Sequence, residues 1–302
     1  MMFEIRPAET EDDIVAFLAI RAAVDPEFPM TRESFDAERS APGRLDVVAL
    51  VDGEHVGCGF VERLYGDPQS TTATVSVRVL EPFRRRGIGT KLLDHVSAHA
   101  GELGATELHA GARSEAADLI AFYEAHRFVE VNRVQDLELD PAEARVSVPP
   151  PLGIELVALA SREDLEAGMH EVALESHPDV PAARPEAVGS LERWRRRSLG
   201  PLTIRELSFV ALEGGEVVGY GIVGRSSSGE PTHWMTGVRR DHRGRGIATA
   251  LKSAQIAAAR EAGVAVLRAQ NDLPNAAMRR VNEKLGYRPR TEFVYLTRPV
   301  AV

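Results

Sequence analysis

The pattern of apolar and polar residues predicts the same order of strands and helices in each half of the chain. In the first copy, a short apolar strand and an acidic amphipathic helix precede two strands joined at Asp52-Gly53, a dipeptide that two-residue hairpin turns prefer. A further strand, "TATVSVRVL", leads into an arginine-rich loop and then into a segment with apolar residues at helical spacing. A strand, a helix and a closing strand end the copy. Strands with helices between them predict an α/β unit built on a mixed sheet.

The second copy is recognised by its constant distance from the first. Arg84 and Arg243 lie 159 residues apart, and the same offset pairs Gly87 with Gly246. This spacing holds without a gap from the loops to the segments "FYEAHRF" and "VNEKLGY". Upstream, "VALVDGEHVGCG" and "VALEGGEVVGYG" are 162 residues apart, so a short length change separates two strands. Spacing preserved over so many positions indicates a tandem duplication.

The chain length and the composition of the joining segment predict two domains. A chain of 302 residues is long enough for two cores. The run "PAEARVSVPPPLG" contains prolines that favour an extended linker. We therefore predict an N-terminal domain over residues 1–140, a linker over 141–153 and a C-terminal domain over 154–302.

Composition and charge narrow the classes of function. The chain has 36 Lys and Arg against 45 Asp and Glu residues, a formal net charge of −9, which disfavours binding to nucleic acid and mildly favours cationic small molecules. No run approaches 18 uninterrupted apolar residues, and the acidic start "MMFEIRPAETEDD" is not of the signal-peptide type. Cys58 is the single cysteine, so no intrachain disulfide is expected. We expect a cytoplasmic protein without a membrane or nucleic-acid partner, as a monomer or homodimer.

Each arginine-rich loop joins a strand to the start of a helix. The first turn of a helix leaves backbone N–H groups without partners and carries partial positive charge, so it suits phosphate oxygens. Glycines let the backbone approach such a ligand closely, and arginines add charge-assisted hydrogen bonds. A solvated charged face is the alternative interpretation of either loop alone, but its recurrence in register favours a diphosphate ligand. The predicted contacts are Arg84, Arg85, Arg86, Gly87, Gly89 and Thr90 in the first copy, and Arg243, Gly244, Arg245, Gly246, Ala248 and Thr249 in the second.

Candidate metal ligands are few. His95 and His99 are one helical turn apart, but no third ligand is spaced to join them. Leu174 stands where a second histidine would complete the metalloprotease motif that His170-Glu171 begins. We therefore expect no metal site.

The pattern Arg-x-x-Gly-x-Gly/Ala between a strand and a helix resembles the acetyl-CoA pyrophosphate motif of the GNAT superfamily of N-acetyltransferases. It reads "RRRGIG" from Arg84 and "RGRGIA" from Arg243, and each copy carries a second family-like segment: "AFYEAHRF" with Tyr123, and Asn275 followed by "LGY". The resemblance covers almost the whole chain and implies two tandem GNAT-fold domains, each a mixed, mostly antiparallel sheet flanked by helices. The tandem layout is similar to that of the mycothiol synthases. By resemblance, acetyl-CoA is the cosubstrate and the acceptor is a primary amine on a small molecule.

The resemblance also implies roles for residues around the loops. Tyr123 takes the place of the family's general acid, and Asn282 stands there in the second copy. His233 is a candidate general base near the strand before the second loop, with an ordinary strand histidine as the alternative. Glu230 in the second copy and Glu62 and Glu107 in the first are further candidates, and no spacing singles one out. The second copy is expected to hold the cofactor and to be catalytic, and a CoA-binding sensor or scaffold without chemistry is the alternative. Further implied cofactor contacts are the backbone near Val77, Val79, Thr236 and Val238, together with Asn275 and Asn282.

Overall fold

The computed structural model describes residues 2–64, 67–144, 147–180 and 187–300, which pack into two compact units. Unit 1 consists of the chain up to Val131, the segment Ser227–Gly229 and the C-terminal segment from Val294; unit 2 consists of Asn132–Ser226 and Glu230–Phe293. The closing strand of each sequence copy therefore runs into the unit formed mainly by the other copy. The predicted domain boundaries separate the two sequence copies. The two units are instead defined by which residues pack together, so their limits differ from the predicted ones. Residues 145 and 146 of the predicted linker lie outside the described residues.

Unit 1 combines strands in a sheet with helices on both faces. Its elements are β1 (Phe3–Pro7), α1 (Glu11–Val24), α2 (Arg32–Arg39), β2 (Leu45–Val51), β3 (Glu54–Arg63), β4 (Thr72–Val79), α3 (Ile88–Glu102), β5 (Glu107–Arg113), α4 (Ala117–Ala125) and the start of β6 (Val129–Leu139). Strands β1 to β4 are antiparallel to their neighbours, and β4 then pairs in parallel with β5. The end of the last strand, β12 (Arg288–Pro299), lies beside β5.

Unit 2 repeats this arrangement. Its further elements are β7 (Ile154–Ala158), α5 (Glu166–Ser176), α6 (Leu191–Ser198), β8 (Phe209–Glu213), β9 (Glu216–Arg225), β10 (Pro231–Val238), α7 (Ile247–Glu261), β11 (Leu267–Asp272), α8 (Ala276–Leu285) and the start of β12. Strands β7 to β10 are antiparallel to their neighbours, β10 pairs in parallel with β11, and β11 pairs antiparallel with β6. Short 3-10 turns lie at Glu81–Phe83, Leu159–Ser161, Glu163–Leu165, His177–Asp179, Arg205–Leu207 and Arg240–His242.

Local sequence explains where strands turn and where the first helix begins. Asp52 (φ 49°) and Gly53 (φ 87°) adopt the left-handed conformation that a two-residue hairpin turn requires, so the predicted turn is confirmed. Gly214 (φ 59°) and Gly215 (φ 90°) do the same between β8 and β9. The Oγ1 of Thr10 accepts from the N–H of Asp13 and so caps the start of α1.

Successive side chains of a strand point to opposite faces of the sheet, so one set of side chains is buried under each pair of helices. In unit 1, one apolar cluster around Leu93 lies under α3 and α4, and another around Phe35 lies under α1 and α2. In unit 2, Trp194 belongs to a cluster under α5 and α6, and Ile256 belongs to one under α7 and α8. Burial of apolar surface, at about 25 cal/mol per Å², is the main source of stability in such layers.

The architecture is the mixed α/β fold with mostly antiparallel sheets that the sequence predicts. Within the described ranges, no helix combines the length and apolar character needed to cross a membrane.

Candidate active site

Both arginine-rich loops have the same backbone conformation. Arg85 and Gly87 have φ angles of 61° and 78° in unit 1, and Gly244 and Gly246 have 76° and 90° in unit 2. Left-handed residues at alternate positions turn successive N–H groups toward one concave surface, which suits an anion. A non-glycine residue in this region costs on the order of 1 kcal/mol, so Arg85 carries a strain that Gly244 avoids.

A helix with an open N-terminus begins directly after each loop. Gly87 precedes α3 and Gly246 precedes α7, and neither has a side chain that could bond the first N–H groups. Apart from its chain neighbours, no heavy atom of the described residues lies within 4 Å of the place that a Cβ would take at either glycine. The free N–H groups and the positive end of the helix dipole therefore face an open cradle that fits a diphosphate.

The first arginine of each motif braces its loop. The Nε of Arg84 donates to the carbonyl oxygen of Val79 at 3.0 Å, and the Nε of Arg243 donates to that of Val238 at 3.2 Å. Each bond ties the loop to the last residue of the strand before it. This shared contact gives the first arginine of the motif a structural role in addition to its charge.

The charges around the two loops differ. In unit 2, Arg245 donates to both carboxylate oxygens of Glu213, at 2.6 and 3.3 Å, and Arg243 lies 2.8 Å from Asp179. Hydrogen bonding from Arg245 lowers the pKa of Glu213 to about 2. The loop arginines of unit 1 are exposed and form no ion pair with the described residues. A phosphate ligand must therefore compete with carboxylates only in unit 2.

The strand before the second loop separates from its parallel neighbour. β10 pairs with β11 only at Thr232 and His233, so the rest of that edge is open. The N–H of Arg239 donates to β9 at 2.9 Å. Because N–H directions alternate along a strand, the N–H groups of Thr236 and Val238 point to the open edge. These two N–H groups, which are the predicted contacts of the thioester, therefore point away from β9.

The equivalent strand of unit 1 has the same open edge. The ladder between β4 and β5 ends at Thr74, and the N–H of Leu80 donates to β3 at 2.9 Å. The N–H groups of Val77 and Val79 therefore also point away from β3.

Tyr123 lies fully buried at the open edge of β4. Its ring packs against Phe122 and Phe128. Burial raises the pKa of its hydroxyl, and the positive charge of Arg78 and a hydrogen bond from the Val77 N–H oppose that increase. The structure therefore brings together the predicted acid and one predicted backbone donor of unit 1.

Asn282 occupies the corresponding position in unit 2. Its Nδ2 donates to the Oδ1 of Asn271 on β11 at 3.0 Å, and both residues are buried. The Oδ1 of Asn282 and the Nδ2 of Asn271 have no hydrogen-bond partner among the described residues. A buried amide atom without a partner costs about 1–3 kcal/mol. The pair therefore offers one acceptor and one donor to a ligand.

Two other predicted contacts, Thr90 and Asn275, already have partners within the protein. The Oγ1 of Thr90 lies 3.1 Å from the Nε2 of His126, and a Cβ on Gly89 would lie 3.3 Å from a neighbouring phenyl ring. The Oδ1 of Asn275 accepts from the N–H of Met278 at 3.2 Å and so caps α8. The first turn of α7 contains Ala248 and Thr249. Their predicted contacts with a cofactor stay predictions.

His233 lies beneath α7 and not at the open edge. The ladder between β9 and β10 shifts between His233 and Met235, and such a bulge reverses the face to which earlier side chains point. The Nε2 of His233 lies 2.5 Å from the hydroxyl of Tyr287. Burial, followed by the charge of Lys252, holds the pKa of His233 well below its usual value. This position does not support the expected role as general base.

A histidine that the sequence analysis did not single out lies on the other face of β10. The Nε2 of His177, in the turn after α5, is 3.0 Å from the hydroxyl of Tyr220. A ring carbon of Tyr220 lies 3.0 Å from the place of a Cβ on Gly237, between Thr236 and Val238. Burial lowers the pKa of His177 to about 4, so the imidazole is neutral at physiological pH. The sequence signal that could have indicated His177 is its position directly after the first helix of the second copy.

Comparison with known proteins agrees with this geometry. A model of the acetyltransferase (GNAT) family matches residues 8–128 and 166–287. A GCN5-related N-acetyltransferase from Sphaerobacter thermophilus is similar in structure over 99% of this chain and 96% of its own, with a TM-score of 0.79 and 20% identity. A tandem GNAT protein from the clavulanic acid biosynthesis pathway, solved without AcCoA, is similar over 100% and 99%, with a TM-score of 0.77 and 21% identity. No curated protein matches the sequence.

The family match falls on both sequence copies, and both solved structures share the fold of the whole chain. The expected tandem arrangement is thereby confirmed, while a particular likeness to the mycothiol synthases stays a prediction. The chain belongs to the GNAT family of N-acetyltransferases, with two copies of the family's fold in tandem.

Proposed function

We propose that the protein transfers the acetyl group of acetyl-CoA to a primary amine of a small molecule, with the C-terminal copy in unit 2 as the catalytic domain. The observation that carries this proposal is the buried pair Asn271 and Asn282, whose unpartnered amide atoms lie where β11 has separated from β10. The pantetheine arm of CoA contains amide groups that complement one donor and one acceptor. A ligand of this kind removes the cost of leaving both atoms unpaired.

The second arginine-rich loop is the proposed diphosphate site. Its left-handed residues Gly244 and Gly246 and the open N-terminus of α7 supply backbone N–H groups. Arg245 is exposed and would exchange its pair with Glu213 for a phosphate. Solvent screens an exposed ion pair, so charge-assisted bonds to a diphosphate offset its loss.

The chemistry requires an oxyanion site and a proton acceptor. Transfer forms a C–N bond to the amine and breaks the C–S bond of the thioester. The N–H groups of Thr236 and Val238 are assigned to the developing oxyanion, for which each donor typically contributes on the order of 10²–10³ in rate. We assign His177, oriented by Tyr220, to accept the amine proton directly or through water. The thiolate takes its proton from water, because Asn282 is a poor acid.

A CoA-binding protein without chemistry is the second candidate. The specific observation in its favour is that Asn282 stands in unit 2 where unit 1 has the tyrosine acid Tyr123. In that case the same loop and amide pair would bind the cofactor without turnover. In either case we place the protein in the cytoplasm, since its one thiol, Cys58, is buried and unpaired as in proteins of reducing compartments.

Calorimetric titration with acetyl-CoA separates these functions from a failure of the whole proposal. We expect Gly246→Glu to abolish binding at unit 2 by placing a carboxylate in the cradle. Gly87→Glu is the matched control, since its φ of 78° imposes strain similar to that at 90°. Loss of binding in Gly87→Glu alone would move the donor site to unit 1, and no binding to wild type would overturn the proposal.

A thiol-release assay with a panel of primary amines then tests transfer. Release of CoA that depends on an amine and is lost in Gly246→Glu supports the acetyltransferase. Binding of acetyl-CoA without release for any amine supports the second candidate.

A further inference from the structure

His242 ends the short 3-10 turn that leads into the second arginine-rich loop, and both nitrogens of its ring lie against carboxylates. The Nδ1 is 2.5 Å from the Oδ1 of Asp241, and the Nε2 is 2.8 Å from the Oε2 of Glu213 at the end of β8. Carboxylate oxygens only accept hydrogen bonds, and a neutral imidazole has a single N–H to donate. Both hydrogen bonds therefore exist together only when the ring is an imidazolium cation.

The surroundings of His242 favour that cation. The hydrogen bond with Asp241 raises the pKa of His242 above its usual value, burial opposes the increase, and the bond with Glu213 adds to it. The side chain is 16% exposed, so solvent screens its charge less than that of a free surface histidine. The neighbouring cations Arg239 and Arg240 pair with carboxylates on or directly after α5. The charge on His242 is thus present near neutral pH and is lost as the pH rises through the raised pKa.

Glu213 holds two cations with one carboxylate. Arg245 donates to its Oε1 at 2.6 Å and to its Oε2 at 3.3 Å, and the same Oε2 lies 2.8 Å from the Nε2 of His242. Arg245 belongs to the proposed diphosphate site, whereas His242 precedes the loop and has no other assigned role. When a diphosphate draws Arg245 away, His242 is the one cation left on Glu213 among the described residues.

Unit 1 has neither member of the pair that His242 and Glu213 form. The 159-residue offset places Phe83 at the position of His242, and the 162-residue offset places Val51 where unit 2 has Glu213. The guanidinium carbon of the loop residue Arg86 lies 5.3 Å from the centre of the Phe83 ring. In unit 1 the loop arginine therefore rests on an aromatic ring that does not titrate, so a proton-dependent contact is particular to unit 2.

We propose that His242 couples donor binding in unit 2 to proton uptake, so that acetyl-CoA binds more tightly when His242 is protonated. This inference rests on the diphosphate site proposed above. The imidazolium balances the Glu213 carboxylate after Arg245 has moved to a phosphate, and it adds positive charge next to the loop. Because the ligand favours the protonated ring, the ring gains proton affinity when the ligand binds. The affinity for acetyl-CoA therefore falls as the pH rises through the pKa of His242.

Calorimetric titration of the full chain with acetyl-CoA measures this uptake, in PIPES and in Tris, two buffers of different ionisation enthalpy. We expect more proton uptake at pH 7.5 in wild type than in His242→Gln, whose amide still donates to Glu213 but carries no charge. The phosphates of the ligand titrate alike with both proteins, so the difference belongs to His242. The Kd of His242→Gln should be about threefold higher than that of wild type at pH 6.5 and equal to it at pH 9.

His99→Gln is the matched control, because His99 also pairs with a carboxylate but lies on α3 of unit 1. Its Nδ1 is 3.3 Å from the Oε2 of Glu102. Proton uptake and the pH dependence of Kd should stay as in wild type. If His242→Gln does not fold, His242→Phe provides the same test with the residue that unit 1 has at this position.

Equal proton uptake and an equal pH dependence of Kd in wild type and His242→Gln would overturn the inference. The pKa of His242, followed by NMR without ligand, is an independent readout: it should fall in Glu213→Gln, and an unchanged value would contradict the shared carboxylate. Absence of any acetyl-CoA binding in wild type would overturn the proposed function and this inference with it. Binding whose pH profile does not depend on His242 overturns this inference alone.

Discussion

The Nε2 of His233 lies 2.5 Å from the hydroxyl of Tyr287, with both residues buried in unit 2. The Nζ of Lys252, which is 2% exposed, lies 5.5 Å from the centre of the same ring. Gln255, on the next turn of α7, is also fully buried. The corresponding residues of unit 1 are apolar and belong to one cluster. The 159-residue offset matches Lys252, Gln255 and Tyr287 with Leu93, Val96 and Phe128, and the strand ladders match His233 with Val75. A polar group of four thus replaces part of an apolar core in one copy.

Replacing Lys252 with leucine, the matching residue of unit 1, is expected to stabilise the protein. Burial lowers the pKa of Lys252 from 10.5 to about 7. Between these values the unfolded chain binds a proton that the folded chain lacks, so stability rises with pH by about 1.4 kcal/mol per unit. Below pH 7 the penalty is fully present. Urea unfolding at pH 7 and 9.5 should therefore show Lys252→Leu as more stable at pH 7 and less dependent on pH.

The control for this prediction is Lys284→Leu, which removes an exposed lysine of unit 2. It should leave the pH dependence of the free energy of unfolding as in wild type. If the slope above pH 7 persists in Lys252→Leu, another group causes it.

The sequence allowed prediction of features that depend on backbone conformation. Glycine at positions 87, 244 and 246 is favoured because φ is positive there, so the repeated motif predicted two loops of one shape. Arg85 adopts the same conformation without being glycine. Only its register with Gly244 could have indicated this.

Features that depend on packing escaped prediction. The bulge between His233 and Met235 reverses the face of His233, and no residue type in "PTHWMTGV" marks that shift. Glu213 and Asp179 pair with loop arginines that are distant in sequence. The division of β6 and β12 between the two units depends on packing, and a sequence repeat does not contain that information.

Arg44 is predicted to be essential for the stability of unit 1. Arg44→Met leaves the carboxylates of Glu38, Asp46 and Glu62 without their common partner, which should cost about 3–5 kcal/mol. Burial already raises the pKa of Glu62, so protonation at lower pH should reduce the loss. Urea unfolding at pH 7 and pH 5 measures both effects.

Arg32→Met is the comparison for Arg44→Met. Arg32 also has two carboxylate partners, at 2.6 and 2.9 Å, but its side chain is 45% exposed. We expect a much smaller loss of stability than in Arg44→Met, because solvent screens exposed ion pairs. Equal losses in the two variants would contradict the structural role assigned to burial.

His177→Gln is expected to lower kcat/KM on the order of 10²-fold with acetyl-CoA and an accepted amine. Because burial lowers the pKa of His177 to about 4, the wild-type imidazole stays unprotonated as pH falls through 6.5. The acidic limb assigned to the base should therefore lie near pH 4. His170→Gln is the control, since the Nε2 of His170 lies 2.9 Å from the carbonyl of Gly189 and has no assigned role in transfer. Unchanged kcat/KM in His177→Gln would remove it as the base.

Glu213→Gln should strengthen acetyl-CoA binding at the second loop. Glu213 now holds Arg245 at 2.6 Å, and loss of its charge releases the guanidinium for a phosphate. Because solvent screens an exposed pair, we expect a decrease in Kd of no more than about fivefold, and a smaller one at high salt. Glu216→Gln is the matched control, because Glu216 pairs with Glu213 across the hairpin and its loss changes the net charge equally. Equal effects would indicate long-range charge alone, and no effect in Glu213→Gln would mean that Arg245 takes no part in binding the donor.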